Sequence, residues 1–137
     1  MENRELVMEA LKARKQAYCP YSGFAVGAAL LCVDDRVFTG CNIENAAYPA
    51  TNCAERTAFF KAVSEGEREF EAICIIGGKN GVASGVTAPC GVCRQVMREF
   101  CNPSTFRIIL PDGADFYQEF LLEELFPLSF GLENLLD

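Results

Sequence analysis

Histidine is absent from all 137 residues, and that single gap removes several kinds of chemistry. No Ser-His-Asp triad, no Cys-His dyad and no imidazole zinc ligand can be built from this chain. Any general acid or base must be a carboxylate, a lysine, a tyrosine or a cysteine. Basic residues are also short: 12 Lys and Arg stand against 19 Asp and Glu, a net charge of −7 at pH 7. A nucleic-acid backbone calls for neutralising cations, so the balance argues against that partner and is compatible with a small neutral substrate. Missing too is any apolar run near the ~20 residues a membrane helix needs. The opening segment MENRELVMEALKARKQ alternates charged and apolar residues and lacks the continuous apolar centre of a signal peptide. The expectation is a cytoplasmic protein with neither membrane nor nucleic acid as partner.

Half of the residues are hydrophobic and 23% are charged, a composition that folds rather than stays disordered. The length suits one domain over residues 1–137 with a single core, and no repeat or low-complexity segment interrupts it. Eight cysteines stand at positions 19, 32, 41, 53, 74, 90, 93 and 101. At this size and apolarity reduced thiols or metal ligands are expected rather than a disulfide framework. Cys32 in AALLCV and Cys74 in AICII read as core, where a thiol behaves as a small hydrophobe.

The spacing predicts a helix over 3–17, capped by Asn3, with Leu6, Ala10, Leu11 and Ala17 inward. Pro20 and Gly23 end it. FAVGAALLCV at 24–33 reads as a buried strand, and VFTGCN at 37–42 as its hairpin partner. A helix follows from about Cys53 to Glu65, capped by Thr51 or Asn52 and closed by Gly66. AICIIG at 72–77 is another buried strand, residues 77–89 a glycine-rich loop, and a short helix runs from near Cys90 to Phe100. FRIIL at 106–110 is a strand, and 117–125 reads as a helix. Strands alternating with helices give an α/β sandwich with helices on both faces of a mixed sheet.

Pro89-Cys90-Gly91-Val92-Cys93 puts two thiols at i and i+3 in the first turn of a helix, on one side of it. The positive helix end favours their thiolates. Alone, this C-x-x-C fits a redox pair, half of a structural zinc site, or two core thiols. Cys53-Ala54-Glu55-Arg56 stands at a second predicted helix start, and two helix N-termini that follow strands can converge at one sheet edge. Three protein ligands with an open fourth position is the pattern of a catalytic zinc. Three thiolates and Zn²⁺ sum to −1, which makes a water on the metal less acidic than neutral ligands would. Arg56, three residues after Cys53, is placed to hydrogen-bond the thiolates and draw charge off the metal. Glu55 is the candidate proton shuttle, although residues i and i+2 of an ideal helix point to different sides.

C-A-E at 53–55 followed by P-C-G-V-C at 89–93 resembles the signature of the zinc deaminases. With YCPYSGFAVGAALL at 18–31, GCNIENAAYPATNCAERTA at 40–58 and PCGVCRQV at 89–96, nearly the whole chain resembles the small free-nucleoside cytidine deaminases with three cysteine ligands. The resemblance implies a three-layer α/β/α sandwich on a mixed five-stranded sheet, and one zinc ion per subunit on Cys53, Cys90 and Cys93. It implies Glu55 as proton shuttle, Asn42 and Glu44 at the ribose hydroxyl, and Phe24 against the pyrimidine face. The backbone N–H of Ala54 is implied to hold the base. Ala46, Tyr48 and Phe130 are implied to reach the site of a neighbouring subunit in a homotetramer. The implied reaction is hydrolytic deamination of cytidine and 2'-deoxycytidine to the uridine nucleosides and ammonia, in pyrimidine salvage.

Three alternatives remain at this point. A deaminase of another aminated heterocycle, such as blasticidin S, has no use for the N-I-E-N ribose segment. A non-catalytic zinc-binding module predicts a fourth thiolate on the metal. A thioredoxin-like redox protein leaves Cys53 and Glu55 without a role.

Overall fold

A computed structural model describes every residue except Ala114 and Asp137. Five strands form one sheet in the order β2-β1-β3-β4-β5. β1 (Phe24–Cys32) pairs antiparallel with β2 (Val37–Cys41) and with β3 (Phe70–Lys79). β3 runs parallel to β4 (Arg107–Pro111), which pairs antiparallel with β5 (Tyr117–Leu121). The sheet is therefore mixed and five-stranded, as the resemblance implies.

Both faces of the sheet are covered, which is why β1 and β3 read as continuous apolar runs rather than alternating ones. On one face Leu6, Val7 and Ala10 of α1 (Asn3–Arg14) pack against Ala29, Leu31, Cys74 and Ile76. On the other, α2 (Ala54–Ser64) and α3 (Gly91–Phe100) bury Ala58, Phe59 and Met97 against Leu30, Ile73, Ile75 and Ile108. Phe59 anchors that layer, its ring meeting Phe70 edge-on with centroids 5.1 Å apart. Cys32 and Cys74 lie in the core as expected. Among the described residues, no helix is long and apolar enough to cross a membrane.

Several local expectations differ from what is observed. α1 ends at Arg14, and Glu2 rather than Asn3 caps it, its backbone N–H donating to the Glu5 carboxylate at 2.9 Å. Asn3 instead donates to Glu119 on β5 and accepts from Arg107 on β4. Arg14 is buried at the helix end, its Nε donating to the Ala25 carbonyl and its Nη2 to that of Gly78. Cys53, not Thr51 or Asn52, occupies the N-cap of α2. Gly66, at φ +95°, closes that helix in the left-handed region, as expected. Gly77 and Gly78 belong to β3, not to the following loop. The largest departure is at 117–125, where the predicted helix is strand β5 followed by a four-residue helix, α4 (Leu122–Leu125). The open edge of β4 supplies hydrogen-bond partners that override the helical tendency of this segment.

The approach of α2 to the sheet is set by Gly40 on β2. A Cβ there would lie 2.5 Å from the Ala54 carbonyl oxygen and 2.6 Å from the Ala58 nitrogen. Only glycine lets the first turn of α2 rest directly on the strand.

Candidate active site

Two cysteines stand where helices usually begin with Ser, Thr, Asp or Asn. Cys53 is the N-cap of α2 and Cys90 that of α3, both with extended backbone and neither with a side-chain cap bond. Their sulfurs point to each other instead, 3.7 Å apart, and Cys93 Sγ lies 3.5 Å from Cys90 Sγ. All three sulfurs lie within 4.8 Å of one another. A tetrahedral zinc with bonds of about 2.3 Å sets its sulfur ligands about 3.8 Å apart, so the spacing fits the ion. Among the described residues no fourth cysteine or carboxylate joins that group, which matches the donor count of a catalytic site rather than a closed one.

The surroundings favour negative sulfur at Cys53. The Cys93 thiol's hydrogen bond, followed by that of Arg56, holds Cys53 well below the ordinary thiol range, while Cys93 is pushed up by Cys53 and by burial. Arg56 Nη2 donates to Cys53 Sγ at 3.2 Å. Arg56 Nε is buried with no hydrogen-bond partner, an orphan donor beside thiols that metal binding would ionise. Glu55 is 4% exposed, and burial above all pushes its carboxyl up to about 6. The i, i+2 objection to Glu55 falls away here. Cys53 precedes the helix with extended backbone, so its sulfur and the Glu55 side chain face the same space.

That space is a cavity of about 190 Å³, lined by Asn42, Cys53, Ala54, Glu55 and Cys90 among the expected residues. Asn42 ties the loop after β2 to β1, its Oδ1 accepting from Val26 N–H and its Nδ2 donating to the Phe24 carbonyl, each at 2.8 Å. An outer cavity of about 280 Å³ adjoins it through Thr51 and holds Glu44 and Tyr48 with Tyr21, Ser22 and Asn45. Glu44 accepts from the backbone N–H groups of Tyr21 and Ser22 and from the Ser22 hydroxyl, and these bonds, the hydroxyl's first, hold its carboxyl below the usual range. Phe24 is half-buried beside the inner cavity without lining it. Ala46 is exposed and lines neither cavity. Phe130 is 57% exposed, its backbone carbonyl accepting from Gln95 on α3. Val26, Thr51, Asn52, Thr87 and Ala88 also line the inner cavity and were not foreseen. Thr51 and Thr87 lie in irregular segments, where no periodicity marks the facing side.

The model of the cytidine and deoxycytidylate deaminase zinc-binding region matches residues 1–108. The cytidine deaminase of Sporosarcina psychrophila is 50% identical over 135 residues, covering 98% of this chain and 96% of that one. The cytidine deaminase of Halalkalibacterium halodurans is 47% identical over the full length of both. Among solved structures, the cytidine deaminase of Burkholderia pseudomallei superposes with a TM-score of 0.86 at 45% identity, over 95% of this chain and 100% of the other. A family match over most of the chain, and identities near one half over nearly its full length, place it plainly: the chain belongs to the cytidine and deoxycytidylate deaminase family.

Proposed function

We propose that this chain, acting as one catalytic domain over 1–137, hydrolyses free cytidine and 2'-deoxycytidine to uridine and 2'-deoxyuridine with release of ammonia. The observation that carries the reading is the cluster of three sulfurs with buried Glu55 facing the same cavity. Cys53, Cys90 and Cys93 hold one zinc ion per subunit. Zinc in such a site supplies Lewis acidity and an acidified water as the nucleophile.

The remaining work falls to the chain. Glu55 accepts one proton from the nucleophilic water and delivers it to ring nitrogen N3, then takes the second from the new C4 hydroxyl and delivers it to the amino group, which leaves as ammonia. Its burial keeps bulk water from competing for that proton. The Ala54 N–H, free at the first turn of α2, is a donor for the base carbonyl. Phe24 packs toward the pyrimidine from β1. Asn42 and Glu44 take the ribose hydroxyls, and their bonds to β1 and to residues 21–22 fix them before substrate arrives. Arg56 draws charge from the thiolates through its bond to Cys53.

Ala46, Tyr48 and Phe130 complete the site of a neighbouring subunit in a homotetramer. Tyr48 at 76% and Phe130 at 57% exposure leave large apolar surface that self-association would bury. A cytoplasmic role in pyrimidine salvage suits a neutral nucleoside and eight free thiols. The deciding experiment is ammonia release from cytidine by the purified protein beside a chelator-stripped sample. Release that is lost on stripping and restored by zinc is expected. No release from protein carrying one zinc per chain would sink the substrate assignment.

A further inference from the structure

The segment between β3 and α3 brings to the inner cavity a side chain for which the proposed mechanism has no role. Residues 80–89 fold back across the end of β3, with Val82 N–H donating to the Lys79 carbonyl at 3.1 Å and Ser84 N–H to that of Gly77 at 3.0 Å. This return sets Thr87 against Gly77, and Thr87 lines the inner cavity. Gly77 shares the sheet face of Ile73 and Ile75 and stands opposite Val26 in the strand register. Val26 lines the same cavity.

Gly77 is not needed for its backbone, which is regular strand with no positive φ. It is needed for space. A Cβ at this position would lie 2.6 Å from Thr87 Oγ1, 3.2 Å from Thr87 Cγ2 and 2.8 Å from Phe24 Cε1. Glycine within a strand often marks such a close approach. Threonine is β-branched and stiff about χ1, and β3 already fills the side away from the cavity. A methyl group at Gly77 therefore drives Thr87 into the cavity. At about 190 Å³ the cavity is smaller than the roughly 300–1,000 Å³ common for ligand sites, so lost depth is felt at once.

We propose that Gly77 and Thr87 together set the depth of the base-binding cavity, Thr87 as its wall and Gly77 as the notch that lets the wall sit back. The inference rests on the reading that the inner cavity receives the pyrimidine. Thr87 is then a specificity-determining residue, and Gly77 a positioning residue that acts through it.

Cytidine turnover by the zinc-loaded wild type, Gly77→Ala, Thr87→Ala and the double variant tests this, with zinc content and Tm measured alongside. Gly77→Ala is expected to raise KM about tenfold, with a much smaller change in kcat and full zinc. Thr87→Ala removes two of the three atoms that crowd the new methyl, leaving Phe24 Cε1, so the double variant recovers part of the wild-type KM. That rescue separates a cavity wall from a merely structural strand glycine, whose loss would lower Tm without any KM coupling. An unchanged KM in Gly77→Ala, or a double variant whose KM change is the product of the single ones, overturns the proposal. Thr87→Leu reaches the same question without touching β3. It should raise KM in the same way, and an unchanged KM there overturns the proposal even if Gly77→Ala does not fold. A wild type that releases no ammonia from cytidine fails the substrate reading and takes this inference with it. An active wild type with uncoupled variants fails the inference alone.

Discussion

The inner cavity is built around two helix starts and a strand seated on the core, with loop residues such as Thr51 and Thr87 closing it, whereas the outer cavity is made of loops tied by side-chain bonds to backbone. Around the sulfurs, Ala54, Ala58 and Cys93 are almost fully buried, and the two helices that begin there press Phe59 and Met97 into the sheet. Around Glu44 the bonds are polar and local: Asn45 N–H donates to Thr51 Oγ1, Ala47 N–H to Asn45 Oδ1, and Tyr21 and Ser22 to Glu44. Packing fixes groups for bond making and breaking more tightly than exposed hydrogen bonds do. The difference assigns chemistry to the inner cavity and adjustable recognition to the outer one.

Glu55→Gln gives the sharpest division between them and the largest expected effect. It keeps the shape of the side chain and removes the proton carrier, so kcat should fall by about 10³-fold or more, with zinc content and Tm close to wild type. Steady-state kinetics with metal analysis checks this, and near-normal turnover would remove Glu55 from the mechanism. Arg56→Ala comes next. It deletes the donor at Cys53 Sγ, so zinc affinity should drop about 10- to 100-fold, read by competition with a coloured chelator. Unchanged metal retention would show that Arg56 is held there by packing alone.

The same division governs what could be read from the sequence. The strands expected at 24–33 and 72–77, which the structure bounds at 24–32 and 70–79, and the helices bearing the cysteines were legible because apolar residues repeat along them. Cys53 and Cys90–Cys93 declared themselves by residue type and spacing, and the three sulfurs do meet. Strand β5 was not legible: DFYQEFLLEELF carries helical spacing, and the pairing that wins comes from β4, distant in the fold's logic rather than in the sequence. Thr51 and Thr87 were invisible for a related reason. Which way a loop side chain faces depends on where the loop returns, as Thr87 does on Gly77, and no local pattern encodes that. Glu55 is the intermediate case. Its residue type suggested a role, but only the extended backbone at Cys53 explains how both groups face one cavity.

The smallest expected effect lies in the outer cavity and depends on pH. The Glu44 carboxyl is held below its ordinary value of 4.5, first by the Ser22 hydroxyl and then by the N–H groups of Ser22 and Tyr21. A carboxylate with a depressed pKa in the folded chain favours that arrangement when ionised. Its contribution is therefore fully present above the ordinary value, is lost as pH falls through the lowered one, and is gone below it. Because Glu44 is only partly buried, at the surface and outside the core, the loss stays local and leaves global stability nearly unchanged. Amide exchange at Tyr21 and Ser22, followed by NMR from pH 6 downward and corrected for intrinsic rates, should show protection that fades in acid. The amides of Ala29 and Ile75 in the core strands should stay protected over the same range. Glu44→Gln, which cannot ionise, should abolish the pH dependence at residues 21–22 while leaving the strands untouched. If wild type and Glu44→Gln instead lose protection together, the outer cavity is held by something other than this carboxylate, and the contrast between a packed inner site and a hydrogen-bonded outer one fails.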